Sequence, residues 1–362
     1  MRSKMNNKGF KFDVVIGNPP YQEETSELSK KNGQKSVKNI FQLFQEQADK
    51  VTRKCVSLIY PGGRWIQQSG KGMKKFGLSQ INDPHLKEVT FYPDANEIFD
   101  KVGIADGISI VVKDMNKTTA GFKYIYSKSG KTKKLNLDNP GEQILPLNPA
   151  DLSMVTKISA FVKKYSLNYL HDAILPRSLF GIESSFVEDN PNKIHPFKQS
   201  FDDKKYVKLF SNDKAGKAGR ATWFLTDLDS IKKNKDYISK FQVVVSSANA
   251  GGQKRDNQIS IMDNHSAFGR SRVALRSFDT LNEAENFMKY AESKVIKYTF
   301  LLTDEALSSL AKWVPDVLDY TNNNNLIDFT QDIDKQLCNL IGFGQEEFKY
   351  INDRVNSIRS DK

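Results

Sequence analysis

The sequence predicts an α/β protein: a mainly parallel sheet early in the chain, then a mixed α+β domain with a helical C-terminus. Three observations predict it. Short, nearly continuous apolar runs recur in the first 130 residues, as in strands buried on both faces. Amphipathic stretches separate those runs, which gives a strand–helix–strand order. After residue 150 the pattern changes to turn-rich sequence that ends in long helical periodicity.

The first apolar run is Phe12–Gly17, FDVVIG. A polar loop follows, then a helix expected over residues 37–52, with Ile40, Phe41, Phe44 and Ala48 on one face. Residues 55–60 form the second run, which ends at Pro61-Gly62-Gly63. Residues 71–81 read as a helix; 87–92, 108–113 and 122–126 read as strands. The stretch 131–150 is punctuated by Lys, Asn, Gly and Pro and is expected to be a linker between residues 1–130 and 151–362. Beyond it, helices are expected over 151–165, 281–302, 304–312, 332–341 and 345–359, and strands over 206–210 and 241–246.

The chain has 362 residues, enough for about two domains. With 38% hydrophobic residues it can bury a sizeable core, which excludes a disordered tail. The net charge of +11 points to a polyanion such as nucleic acid, or to solubility alone. Cys55 and Cys338 are far apart, and His85, His171, His195 and His265 are scattered. Neither a disulfide framework nor a metal site is expected. The basic N-terminus runs into a strand rather than an apolar leader, and no run approaches the ~18 apolar residues of a membrane span. A reduced, cytoplasmic protein without a membrane partner is the expectation.

The sharpest motif is Asn18-Pro19-Pro20-Tyr21, directly after FDVVIG. Consecutive prolines fix φ near −65° and stiffen a loop. The motif offers a side-chain carbonyl, backbone carbonyls and an aromatic ring. As a bare tetrapeptide it is also an ordinary turn. Its place at the carboxyl end of an apolar strand, where α/β sheets hold ligands, favours a functional reading.

FDVVIGNPPY resembles the catalytic motif of amino-methyltransferases acting on DNA. CVSLIYPGGRW (residues 55–65) resembles the strand and loop that follow it in the adenine-specific group. Residues 176–186, 278–302 and 313–351 are similar, more loosely, to the recognition region and C-terminal ending of large single-chain restriction–modification methylases. The resemblance implies a partial, Rossmann-like methyltransferase sheet followed by a DNA-recognition domain, with S-adenosylmethionine as donor and double-stranded DNA as partner.

The chemistry fits those residues. The N6 amine of adenine is a poor nucleophile whose lone pair is conjugated into the ring, and it lies inside the duplex. The base must be flipped out, at a cost of a few kcal/mol. The side-chain carbonyl of Asn18 and the backbone carbonyl of Pro19 would accept the two N6–H bonds and stabilise the charge developing on nitrogen. Pro20 would stiffen the loop, and Tyr21 would stack on the base. Asn18 and Pro19 would also border the donor. No general base is required.

The sequence departs from that family in one respect. The Gly-containing cofactor motif normally precedes Asn-Pro-Pro-Tyr, whereas 17 residues precede Asn18. Gly62-Gly63 belongs to the post-catalytic loop, Gly251-Gly252 to the second domain, and Gly342-x-Gly344 to a cap between helices. A split-enzyme subunit, a truncated product or an excised segment is therefore expected. FDVVIG would be an open sheet edge that favours a second chain. The alternative to a methyltransferase module is a non-catalytic DNA-binding specificity subunit or a remnant. Candidate DNA contacts are Arg64 and Lys71 beside the cleft, Arg177, Lys254, Arg255, Arg270 and Arg272; any one alone reads first as a solvated charge, and the group is the stronger signal. Phe99 and Val102 are candidates for the opposite wall of a base pocket, or for core. Pro93-Asp94 begins a nuclease-like pattern, but no acid-x-Lys follows it, so any nuclease is expected elsewhere.

Overall fold

Apolar character alone places Phe12–Gly17 in a strand, and the structure, a computed structural model, makes it β1. The structure describes residues 11–28, 35–70, 72–104, 106–138, 141, 144–216, 218–304 and 306–360. They fall into two compact units, residues 1–152 and 153–362.

In the first unit β1 leads to a hairpin of β2 (Gln22–Leu28) and β3 (Lys35–Asn39). Helix α1 (Phe41–Val51), β4 (Thr52–Pro61), the short α2 (Gly63–Ile66) and α3 (Met73–Ile81) follow. Strands β5 (Leu86–Tyr92), β6 (Ile108–Asp114), β7 (Phe122–Lys128) and β8 (Lys131–Leu137) complete a six-stranded sheet of order β1-β4-β6-β5-β7-β8. Where the sequence predicted mainly parallel pairing, the sheet is mixed. The β1–β4 and β5–β7 ladders are parallel; β4–β6, β5–β6 and β7–β8 are antiparallel. An apolar run reports burial on both faces and carries no information on strand direction.

The expected linker at 131–150 holds β8, and Leu145 and Leu147 pack on the sheet's core. Lys131, Lys133 and Lys134 of β8 are all exposed on this edge strand, which is why the segment reads as polar. Residues 37–39, expected in the helix, belong to β3.

The core of this unit is aromatic. Phe41 stacks on Tyr60 at 4.9 Å between ring centroids, and Phe76 and Trp65 meet them edge-on or tilted. Trp65 Nε1 donates to Ser109 Oγ (3.1 Å), which donates to the Tyr60 carbonyl (2.9 Å). Lys113 on β6 is fully buried and bridges Asp49 of α1 (2.7 Å) and Asp83 after α3 (2.6 Å), tying both helices to the sheet. Helices α2 and α3 approach so closely at Gly77 that a Cβ there would lie 2.0 Å from the Trp65 carbonyl. Gly77→Ala is therefore expected to destabilise the unit by about 1–3 kcal/mol, read as a lower urea midpoint.

The second unit opens on α4 (Leu152–Lys164), β9 (Asn168–Tyr169) and the short α5 (Phe186–Asp189). Strands β10 (Ile194–Pro196), β11 (Tyr206–Asn212), β12 (Ala221–Asp227), β13 (Phe241–Ser246), β14 (Ser260–Met262), β15 (Ser266–Phe268) and β16 (Arg272–Phe278) form two sheets, β10-β12-β11-β15 and β14-β13-β16. Helices α6 (Leu281–Glu292) and α7 (Lys294–Phe300), the two-residue β17 (Pro315–Asp316), α8 (Ile333–Ile341) and α9 (Gln345–Ser360) close the chain.

The helix expected over 281–302 is broken at Ser293, whose extended backbone separates α6 from α7. Within the helix expected over 304–312, residues 307–312 are turns. There the Asp304 carboxylate accepts from Ala306 N (3.1 Å) and Ser309 Oγ, and Ala311 takes a positive φ of 59°. Local side-chain bonds thus outcompete the helix ladder. No helix among the described residues is long and apolar enough to cross a membrane.

Candidate functional site

β1 bonds to β4 on one side and, among the described residues, to no strand on the other. Phe12, Val14 and Ile16 share one face by strand alternation and are all exposed, Ile16 to 75%. The sequence expected both a buried run and an open edge; burial holds only for Val15, which packs on the core.

Asn18, Pro19 and Pro20 emerge at the carboxyl end of this edge strand. Two prolines in succession carry no N–H, so their backbone offers only acceptors. Pro19 is half-buried, and Asn18 and Pro20 are exposed. Asn18 and Pro19 border an open groove of about 310 Å³, lined also by Val15, Ile16 and Gly17 of β1, Leu58 of β4, and Phe44, Gln47, Ala48 and Val51 of α1. The groove is apolar apart from Asn18 and Gln47. An aromatic heterocycle edge suits it; the charged ends of an amino-acid-bearing donor find no charged side chain among the lining residues.

Tyr21 turns inward. Its ring packs against the aromatic core, and its carbonyl accepts from Ile40 N (3.0 Å), which anchors the chain as it returns from the β2–β3 hairpin. Burial pushes the Tyr21 hydroxyl above the usual phenol range; the neighbouring Asn18 side chain opposes that shift. Among the described residues none satisfies the hydroxyl at full hydrogen-bonding geometry. Sequence reasoning missed Phe44 and Gln47, which helical spacing from Phe41 and Ala48 could have placed beside the loop.

Arg64 does not line this groove. It sits at the start of α2, where its Nε lies 3.7 Å from Asp106 Oδ1 and its backbone N donates to the same oxygen (3.1 Å). Lys71 lies outside the described residues. Phe99 is half-buried and Val102 exposed, and neither belongs to the buried cluster or to the groove.

In the second unit the structure brings three of the expected arginines together. Arg177 Nε donates to the Arg270 carbonyl (3.1 Å), and its Nη2 lies 3.4 Å from Ser247 Oγ, which donates to the same carbonyl (2.7 Å). Burial lowers the Arg177 pKa and the Arg270 charge lowers it further; Glu183 opposes them. Arg270 pairs with Glu183 at 2.8 Å, and Arg272 lies over the Phe210 ring at 4.8 Å. Lys254 and Arg255 are exposed on a loop held by its own side chains. Asn249 Nδ2 donates to the Arg255 carbonyl (2.6 Å), and Gln253 Nε2 reaches the carbonyls of Phe300, Thr303 and Asp304 (3.1–3.2 Å). Such a loop presents cations at little further entropic cost.

Residues 2–99 match the family model described as Eco57I restriction-modification methylase. A protein of Mycoplasma pneumoniae named "Uncharacterized adenine-specific methylase" is 31% identical over 129 residues, 35% of this chain and 29% of that protein. The chain thus spans under a third of that relative's length. Among solved structures, the type IIL restriction-modification enzyme MmeI in complex with DNA is similar at a TM-score of 0.42 and 10% identity, over 95% of this chain and 57% of MmeI. A type I methyltransferase subunit from Streptococcus thermophilus is similar at 0.25 and 15%, over 44% of this chain and 34% of that one. The segment that carries Asn18-Pro19-Pro20-Tyr21 therefore resembles the N6-adenine methylases of restriction–modification systems, through the Eco57I methylase family.

Proposed function

We propose that this chain supplies the acceptor side of N6-adenine methyl transfer to DNA within a restriction–modification system. The observation that carries the reading is the pairing of Asn18 and Pro19 on the rim of an apolar groove at the carboxyl end of β1. A flipped adenine entering there meets apolar side chains for its ring. Asn18 Oδ1 and the Pro19 carbonyl accept the two N6–H bonds, which orients the nitrogen lone pair and offsets its growing positive charge. Pro20 restricts the loop so that little motion remains to be frozen when the base arrives. Tyr21, whose ring packs against the core and is not among the groove residues, would stack on the base only by turning outward, and otherwise anchors the loop. S-adenosylmethionine is the donor by resemblance. The groove residues do not hold its charged ends, so a second chain or further segment covering β1 is part of this reading.

The arginine cluster and the Lys254–Arg255 loop are proposed to contact duplex DNA. Each lysine or arginine on phosphate releases condensed counterions. Lys254→Ala and Arg255→Ala are expected to flatten the slope of log affinity against log salt by about 1 each. An unchanged slope would remove that loop from the DNA interface.

The absence of a charged side chain for the donor among the groove residues favours a second reading, DNA binding without catalysis by this chain. Two measurements separate them: calorimetric titration of S-adenosylmethionine, and transfer of labelled methyl to the adenine N6 of duplex DNA. Transfer establishes the first reading. Salt-dependent DNA binding with no methyl transfer in any mixture, including those that supply a chain covering β1, establishes the second.

A further inference from the structure

On strand β11 the side chains alternate. Val207 and Leu209 are fully buried, and Tyr206, Lys208 and Phe210 face the other way and are half-buried. Across that outer face runs a row of aromatic rings. Phe197, just after β10, lies 5.9 Å from Trp223 on β12, and Trp223 lies 5.2 Å from Phe210 on β11. Arg272 continues the row over Phe210. Phe197 is 41% exposed, a large aromatic left in water at the open end.

The arginine at the other end lacks a counter-charge. Arg276 has Asp316, and Arg270 has Glu183. Among the described residues no carboxylate pairs with Arg272, and its Nε is enclosed without a hydrogen-bond partner. Burial alone lowers its pKa, with no neighbouring charge opposing. Desolvating a cation without an anion costs free energy that a ligand can return.

We propose that the Phe197–Trp223–Phe210–Arg272 row binds an unpaired nucleotide of a nucleic-acid strand, its base stacked at Phe197 and Trp223 and its phosphate or acceptor edge on Arg272. Stacking needs a free base face, and a duplex hides both faces of every internal base, so the ligand is single-stranded or extruded. The positive charge of the chain and the adjoining arginines select a polyanion over a neutral ring. The site deepens the reading of residues 151–362 as DNA-contacting and is independent of Asn18.

Trp223 makes the test direct. The chain has three tryptophans; Trp65 and Trp313 are 1% and 5% exposed, and Trp223 is half-buried. Emission is followed while the full chain is titrated with single-stranded oligothymidylate, a duplex of equal length, heparin and polyglutamate. We expect oligothymidylate to quench, and duplex and heparin to bind without quenching. Phe197→Ala, at an exposed position that leaves the fold intact, weakens oligothymidylate about tenfold or more and leaves heparin unchanged. Trp223→Phe keeps a stacking ring, so it retains binding and loses the quenching. Absence of quenching by the single strand, or equal weakening of heparin by Phe197→Ala, overturns the proposal. Quenching by polyglutamate replaces it with an acidic-peptide site. Duplex binding without single-strand quenching removes the stacking site and leaves the DNA-contact reading standing.

Discussion

Asn18→Ala is expected to lower methyl transfer to duplex DNA by about 10²–10³-fold, the usual loss when a group that stabilises developing charge is removed. Affinity for DNA should hardly change, because the contact strengthens as the amine becomes tetrahedral and is weak before. The comparison that matters is with Pro19→Ala. Its acceptor is a backbone carbonyl that any residue retains, so the variant loses stiffness and keeps the chemistry. A small loss at Pro19 beside a large one at Asn18 identifies a side-chain acceptor working with a backbone acceptor. Both rates are read by counting labelled N6-methyladenine under conditions in which the wild type transfers. Parallel loss of DNA affinity and transfer in Asn18→Ala would assign Asn18 to binding instead.

The second large effect concerns Lys113. Its ammonium lies fully buried between the carboxylates of Asp49 and Asp83, and Asp49 also accepts from Gln45 (2.8 Å), which in turn accepts from the Tyr60 hydroxyl (3.0 Å). Lys113→Met leaves two carboxylates facing each other in a space built for a cation. The expected cost is about 3–5 kcal/mol, read as faster hydrogen exchange in β4 and β6 and a lower urea midpoint. Adding Asp49→Asn and Asp83→Asn to Lys113→Met should restore most of the loss. If Lys113→Met alone unfolds like the wild type, the ion triad contributes nothing to the fold.

The same triad gives a pH dependence. Burial alone would raise the Asp83 carboxyl, but its hydrogen bond to Lys113 and the lysine charge outweigh burial and hold it below the usual carboxylate range. A depressed carboxyl stabilises the fold above its unfolded pKa of roughly 4. That contribution is lost as pH falls through the folded value. Acid unfolding of the wild type should therefore be steeper below about pH 4 than that of the Lys113→Met, Asp49→Asn, Asp83→Asn variant.

Much of the first unit is legible because its strands are short apolar runs with distinct flanks. Residues 55–60 and 108–113 lie within β4 and β6, and Phe241–Ser246 coincides with β13 in the second unit. Strand direction is not legible, since Val111 would be buried by a parallel or an antiparallel neighbour alike. β8 was hidden by its outward lysines, and β12, with Trp223 and Leu225 on one face, by the polar loop before it. The acceptor motif stands out because Asn-Pro-Pro-Tyr is local. The arginine cluster does not, because Arg177 and Arg270 are 93 positions apart and meet at the Arg270 carbonyl. Glu183, which neutralises Arg270, gives no sign of doing so in the sequence.

Among the described residues no strand pairs with the second side of β1. Asn18 is carried, among the described residues, by a strand held through one ladder, with the Tyr21 carbonyl bonded to Ile40 N on the far side of the loop, so its position depends on how firmly that ladder is closed. A strand pairing along the side where none of the described residues pairs would add a second set of bonds to β1. It steadies the loop without touching it. By linkage, an adenine gripped at Asn18 must then tighten the hold on whatever lies along β1 by the same factor. Under the proposed reading, pairing along β1 and capture of an adenine at Asn18 are then one equilibrium.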